Sequence, residues 1–92
     1  MIAVYKPETF EYKCLEEAAD MLTAASPNGT IYTVEETYFD YGQKWKWTTI
    51  IARKPNGSTW QALCPRDHAL ILNGDIEQAV QNTVNSKFNP DR

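Results

Sequence analysis

The spacing of apolar positions divides the chain into helical and extended segments, and the clearest helical segment begins at Leu15. From there apolar residues recur at i, i+3, i+4 and i+7 while carboxylates take the other face, which is typical of an amphipathic helix. The apolar stripe consists of Leu15, Ala18, Ala19, Leu22 and Ala25. Because Pro27 disfavours helical geometry in the residue before it, we expect this helix to end by Ser26.

The residues before this helix alternate with a period of two, which is typical of strands. Residues 2–5 alternate weakly and predict a short strand that Pro7 ends. Phe10, Tyr12 and Cys14 alternate with charged residues, so they predict a second, half-buried strand directly ahead of the helix.

The middle of the chain is rich in the β-branched and aromatic residues that strands favour. Two such runs, residues 30–39 and 45–52, are joined by the sequence Asp-Tyr-Gly-Gln at 40–43, which predicts a hairpin loop. The sequence Lys-Pro-Asn-Gly at 54–57 predicts a type I turn followed by a glycine in the left-handed region. A meander of three antiparallel strands is therefore expected over about residues 30–64.

The length of the second loop decides which side chains share a face of the sheet. A three-residue loop pairs Ala52 with Trp60 and Ile50 with Ala62. One face then carries mostly small apolar side chains, suited to lie under helices, namely Thr48, Ile50, Ala52, Trp60 and Ala62. A two-residue turn at Asn56-Gly57 instead shifts the register by one residue and favours Trp47 as a core residue.

The chain after the meander predicts one helix and leaves a shorter segment open. Residues 67–72 fit either a short helix or a further strand. Asp75 predicts the N-cap of a helix from Ile76 to about Lys87, with Gln78 completing a capping box, and a polar tail follows from about residue 89. The predicted order is β(β)αβββα, a single α+β domain over residues 1–92 with both helices on one face of an antiparallel sheet.

Composition fits one globular domain, but charge is distributed unevenly along it. The 92 residues are 42% hydrophobic and 23% charged, with a formal net charge of −3, which lies inside the globular range. Residues 44–66 contain five basic residues, no acidic residue and all three tryptophans. Because indole rings and cations give much contact energy per residue, this segment predicts a binding surface.

The sheet face opposite the helices is the predicted partner-binding surface. In the register of the three-residue loop it carries Trp45, Trp47, Ile51, Arg53 and Gln61. This mixture suits another protein or, in a homodimer, a second copy of the chain. An alternative contact surface is acidic and would meet a basic partner; it consists of Glu16, Glu17, Asp20, Glu35, Glu36 and Asp40.

Reactive residue types cluster at residues 64–68. Cys64, Asp67 and His68 can be read as nucleophile, orienting acid and base, or as a strand-ending cysteine beside the first turn of a short helix. We favour the second interpretation, because catalytic Cys and His normally come from distant parts of a chain. Cys14, Cys64 and His68 leave a tetrahedral metal site one ligand short, and phosphate-binding glycine motifs do not occur. We therefore expect no catalytic residue, no metal and no cofactor.

Nucleic-acid binding is the alternative function, with cations meeting phosphates while an indole stacks on bases. The basic candidates are Lys44, Lys46, Arg53 and Lys54. The αβββα part resembles the double-stranded RNA-binding domain in element order. That family has a lysine cluster where this chain has Asp75, Glu77 and Gln78, and an acidic pI of about 5.0 weakens attraction to a polyanion.

No run approaches the ~20 apolar residues of a membrane span, and the N-terminus lacks the features of a signal peptide. The two cysteines are then expected to be reduced thiols in the cytoplasm, with a single Cys14–Cys64 disulfide as the alternative. The sequence thus predicts a small cytoplasmic protein-binding domain without catalytic activity. Compact acidic domains of this type are common among phage- and mobile-element-encoded inhibitors and regulators.

Overall fold

The computed structural model describes residues 3–39 and 44–92 as an α+β fold. Within these ranges it contains three helices and a three-stranded antiparallel sheet in the order αβββαα. The elements are α1 Phe10–Ala25, β1 Ile31–Tyr38, β2 Lys46–Arg53, β3 Thr59–Gln61, α2 Pro65–Leu72 and α3 Ile76–Asn85. The fold class and the meander are confirmed, while the predicted order β(β)αβββα is wrong before the first helix and after the sheet.

The sheet has the register that a three-residue loop imposes. β2 is the central strand, and Ala52 pairs with Trp60 on β3. Just beyond β3, the Ala62 N–H donates to the Ile50 carbonyl at 2.9 Å. The predicted register is therefore confirmed, and the shift by one residue that a two-residue turn would cause does not occur.

The turn that sets this register depends on one glycine. The Gly57 N–H donates to the Lys54 carbonyl at 2.9 Å, and Gly57 has a φ of 92°. A side chain is disfavoured at that angle, so glycine holds the turn at low cost. The other loop of the meander, predicted at Asp40–Gln43, lies outside the described residues.

α1 begins at Phe10, so the strand predicted from Phe10, Tyr12 and Cys14 is wrong. Thr9 is the N-cap, and its Oγ1 accepts the N–H of Tyr12 at 3.2 Å. Once this cap sets the helical period, Cys14 joins the buried stripe of α1 while Phe10 faces outward. The predicted end of the helix is confirmed, with Ser26 as its C-cap.

Residues 3–5 form no strand, so the predicted strand 2–5 is wrong over its described part. They run beside β2, where Thr48 donates its N–H to the Ala3 carbonyl at 2.9 Å. The next contact goes from the Tyr5 N–H to the Thr48 hydroxyl at 2.8 Å. Because that second bond uses a side chain, the backbone ladder does not continue.

The chain after the sheet forms two helices. α2 begins at Pro65, whose fixed φ and missing N–H suit a first helical position, so residues 67–72 are helical. α3 begins after Asp75, but the predicted capping box is wrong, because Asp75 makes no side-chain capping bond. The Gln78 amide instead donates to Asn82 Oδ1 at 2.9 Å, one turn further along the helix.

The core lies between the helices and the sheet face predicted to meet them. Ile50 and Ala52 are fully buried in one cluster with Leu15 of α1. Trp60 and Ala62 are half-buried and pack against that cluster. In the part of the chain that the structure describes, no helix combines the length and apolar character needed to cross a membrane.

A buried carboxylate holds the C-terminal tail against the domain. Asp91 is 2% exposed and accepts hydrogen bonds from Thr30 Oγ1 at 2.5 Å, the Tyr32 hydroxyl at 3.1 Å and Asn28 Nδ2 at 3.3 Å. Burial raises the pKa of this carboxyl, but the hydrogen bonds outweigh burial and the pKa of Asp91 lies below its usual value. The polar tail is thereby fixed beside the start of β1.

Candidate partner-binding site

The ends of β1 and β2 that face the first loop expose two aromatic residues. Trp45 is 67% exposed and Tyr38 is 45% exposed. The two strand ends are joined by the Phe39 N–H, which donates to the Trp45 carbonyl at 2.7 Å. Lys46 pairs with Tyr38 across the strands, and its Nζ lies 5.4 Å from the centroid of that ring. We call Tyr38, Trp45 and Lys46 the hairpin-end surface.

Trp47 belongs to the interior, although it lies on the sheet face predicted for partner binding. It is 2% exposed, with Phe39 edge-on at 4.9 Å and the His68 ring at 4.4 Å between centroids. The indole Nε1–H donates to Gln61 Oε1 at 3.2 Å. These neighbours leave Trp47 no free surface, so of the two neighbouring indoles only Trp45 can meet a partner.

The remaining residues of the predicted surface are largely occupied within the sheet. Ile51 is buried between its cross-strand partners Thr33 and Gln61. Arg53 forms a two-armed pair with Glu35, including Nη2 to Oε1 at 2.8 Å. Hydrogen bonds from Arg53 and then Thr33 lower the pKa of Glu35 to about 2. Arg53 and Glu35 therefore balance each other's charge within the sheet instead of facing a partner.

The alternative acidic surface does not form one patch over its described members. Glu16 and Asp20 line a hollow between α1 and β1, whereas Glu17 lines a different hollow beside α3. Glu36 is exposed on β1, Glu35 is paired as above, and Asp40 lies outside the described residues. Charge is thus spread over several sides of the domain.

The cysteine and histidine of the reactive cluster have separate partners. His68 is buried, and its Nε2–H donates to the Thr48 carbonyl at 2.8 Å. The Cys64 thiol donates to Asp67 Oδ2 at 3.3 Å, and Asp67 Oδ1 accepts from Asn82 at 3.1 Å. Burial lowers the pKa of His68. The neutral ring therefore donates a hydrogen bond to the edge of β2, a role that could not be predicted from the sequence.

Both thiols are free, Cys14 buried and Cys64 exposed. No disulfide joins Cys14 to Cys64 in this structure. Over residues 3–39 and 44–92, no group of three or more His, Cys, Asp or Glu side chains is placed to hold a metal ion.

A groove of about 520 Å³ runs along β3 between the start of α2 and the tail that follows α3. Its lining includes the rings of Phe39, Trp60 and Phe88 together with the side chains of Gln61 and Arg66. Phe88 is 82% exposed. The Gln61 amide donates to the Tyr38 carbonyl at 2.9 Å and so links this groove to the hairpin-end surface. The docked tail forms one wall, which sequence periodicity does not reveal.

Comparison with models of protein families, with curated proteins and with solved structures finds no match to this chain.

Proposed function

We propose that this chain is a protein-binding domain without catalytic activity, and that the hairpin-end surface is its contact site. The observation that carries the proposal is the 67% exposure of Trp45 at a strand end where the cross-strand pair of Lys46 and Tyr38 also lies, with Tyr38 45% exposed. Tryptophan and tyrosine are enriched among residues that dominate binding energy, since they give a large contact area with little loss of side-chain entropy. Lys46 adds a cation at the same place.

The absence of catalysis in this proposal is supported by the geometry at residues 64–68. A histidine base needs a ring nitrogen directed at the nucleophile, whereas His68 Nε2 is bonded to Thr48 and the Cys64 thiol to Asp67. We also place the protein in the cytoplasm, where free thiols such as Cys14 and Cys64 persist. As a biological role we propose an inhibitor or regulator of another protein, of the phage-encoded or mobile-element type.

The test is affinity capture from host lysate with three versions of the chain, each shown to be folded by circular dichroism. Wild type and Ile31→Ala are expected to retain the same protein, and Trp45→Ala is expected to lose it. Ile31 is the matched control, because it is 52% exposed at the opposite end of the same sheet. Equal capture by all three versions, or no captured protein with wild type, would contradict the proposal.

The nucleic-acid alternative is tested by a gel-shift titration with mixed RNA and DNA at ~0.15 M salt. We expect no binding tighter than the non-specific range of about 10⁻⁴–10⁻⁶ M. One of the basic candidates is already paired within the domain, since Arg53 forms an ion pair with Glu35. A submicromolar shift that disappears in the double variant Lys44→Ala, Lys46→Ala would make nucleic acid the partner.

A further inference from the structure

β3 is an edge strand of the sheet that the described residues form. Lys54 donates its N–H to the Ser58 carbonyl, and Ala62 donates to Ile50, so the even-numbered residues of this strand face β2. Because alternate residues of an antiparallel strand direct their backbone groups to opposite sides, those of Thr59 and Gln61 point outward. No described residue bonds the outward N–H and C=O groups of these two positions.

The groove beside this edge offers apolar contacts on both sides of a strand that would be added there. Trp60 is directed to the core side, where its ring meets Tyr32 edge-on at 6.4 Å between centroids. Phe39 lies on the opposite side against Trp47. Successive side chains of an extended segment alternate between the two sides of a sheet. A segment paired with β3 would therefore place side chains against Trp60 and Phe39 in turn.

The exposed charges around the groove are basic in the described part of the chain. The Arg66 side chain is 75% exposed, and Lys54 and Lys87 lie over the rings of Trp60 and Phe88. The carboxylate in the lining, Asp67, is buried and bonded to Cys64 and Asn82, and its Oδ1 lies 3.7 Å from Arg66 Nε, so it balances part of the Arg66 charge. α2 also begins at this groove without a side-chain cap on its N-terminus, which adds partial positive charge. A second hollow against Thr59 and Gln61 is lined by the Glu35–Arg53 pair and by Glu36. The edge is therefore complementary to an acidic segment on the side of the groove, where Arg66, Lys54 and Lys87 lie.

The edge of β1 is partly covered by α1, so it is less available than β3 for pairing with a second copy. The Thr23 hydroxyl of α1 accepts the N–H of Tyr32 at 2.9 Å, and its own hydrogen lies between the Ala19 carbonyl at 2.9 Å and the Tyr32 carbonyl at 3.3 Å. This contact covers part of the β1 edge. Pairing β3 with β3 of a second copy would bring two basic grooves together, at a cost from like charges. The occupant that the charges favour is a segment of a different protein.

We propose that the free edge of β3 binds an extended acidic segment of a partner protein, which adds a fourth strand to the sheet. This rests on the proposed function and extends its contact from the hairpin-end surface along the groove. Backbone pairing of this kind supplies affinity, while the pockets on either side of the strand supply specificity. The acidic side chains of the segment meet Arg66 and its neighbouring cations.

The experiment uses three synthetic heptapeptides as probes, titrated into the isotope-labelled chain and followed by amide NMR. One alternates glutamate and valine, the second alternates lysine and valine, and the third is the acidic peptide with every backbone nitrogen methylated, which leaves neither edge of it able to donate a hydrogen bond. We expect the acidic peptide to shift the amides of Thr59 and Gln61 and to slow their hydrogen exchange. The lysine and methylated peptides should bind at least about tenfold more weakly, the effect of losing one good hydrogen bond or charge contact.

Two pairs of variants locate the contact. Thr59→Pro removes an outward N–H without touching the bonds to β2, a position where an edge strand tolerates proline, and Thr59→Val keeps that N–H. Arg66→Glu reverses the charge, and Arg66→Gln only removes it. We expect at least about tenfold loss with Thr59→Pro and Arg66→Glu, little loss with Thr59→Val and an intermediate loss with Arg66→Gln.

Four results would overturn the inference. The first is no saturable binding of the acidic peptide, and the second is equal binding of all three peptides. The third is a concentration-dependent mass in sedimentation that Thr59→Pro abolishes, which would identify a second copy as the occupant. Lysate capture that depends on Trp45 but not on Thr59 or Arg66 would refute pairing at β3 and leave the proposed function standing. Loss of all capture with wild type would instead refute the proposed function.

Discussion

Replacing each of two neighbouring tryptophans with alanine should cost very different amounts of stability. Trp47 is 2% exposed and packs on Phe39 and His68, so Trp47→Ala should cost about 3–5 kcal/mol in the free energy of unfolding. Trp45 is 67% exposed. About one third of roughly 200 Å² is then buried, which at about 25 cal/mol per Å² gives an upper limit of ~1.6 kcal/mol for Trp45→Ala.

The assay is urea denaturation followed by circular dichroism, with thermal melting as a second measure. A domain of this size has a free energy of unfolding of roughly 5–14 kcal/mol, so Trp47→Ala should remove a large share of it and lower the Tm by at least about 12 °C. Trp45→Ala should lower the Tm by less than half as much. Similar losses in the two variants, or a Trp47→Ala protein as stable as wild type, would refute the packing described for Trp45 and Trp47.

Three further predictions follow from buried polar groups and thiols. The folded-state pKa of His68 is lowered chiefly by burial. The contribution of His68 to the free energy of unfolding should therefore be complete above about pH 6.5 and be lost as pH falls through the folded pKa. Urea midpoints measured against pH should show this loss, and His68→Gln should abolish the pH dependence. Asp91→Asn should cost about 1–3 kcal/mol at pH 7 by weakening a buried network, while Arg92→Ala, at an exposed position, should cost nothing measurable. Because the pKa of Asp91 is lowered in the folded state, its contribution to the free energy of unfolding is present above about pH 3.9 and is lost as pH falls through the folded-state pKa. The stability of Asp91→Asn should therefore depend less on acid than that of wild type. An aromatic disulfide reagent should modify Cys64 in the folded protein and Cys14 only on unfolding, because Cys14 is buried and burial raises its pKa; two fast thiols would contradict this placement.

The register of the sheet could be predicted because the chemistry that decides it is local. A proline, an asparagine and a glycine in consecutive positions specify a three-residue loop, and that loop fixes the pairing of Ala52 with Trp60. The same argument placed Trp47 on the correct face but could not establish its exposure. Burial of that ring depends on Phe39 and on His68, which lies on a later helix. Contacts of this kind are set by tertiary packing, on which a period-two pattern gives no information.

The errors at the N-terminus and after the sheet have different causes. Phe10, Tyr12 and Cys14 satisfy a strand pattern and a helical one equally over so short a stretch, and the cap from Thr9 decides in favour of the helix. The capping box at Asp75 satisfies the sequence rule, but its side chain makes no capping bond. The groove along β3 could not be predicted either, since one wall depends on Asp91 reaching hydroxyls far away in sequence.

The most direct test of protein binding at the hairpin-end surface is the dissociation constant of the captured partner. It should be measured by calorimetry for wild type, Trp45→Ala and Ile31→Ala. The account predicts that Trp45→Ala weakens binding by about 30-fold or more, equivalent to about 2 kcal/mol, as expected for a residue that dominates an interface. Ile31→Ala should remain within about threefold of wild type, as most surface substitutions away from a contact do. Equal dissociation constants for Trp45→Ala and wild type would contradict the central claim.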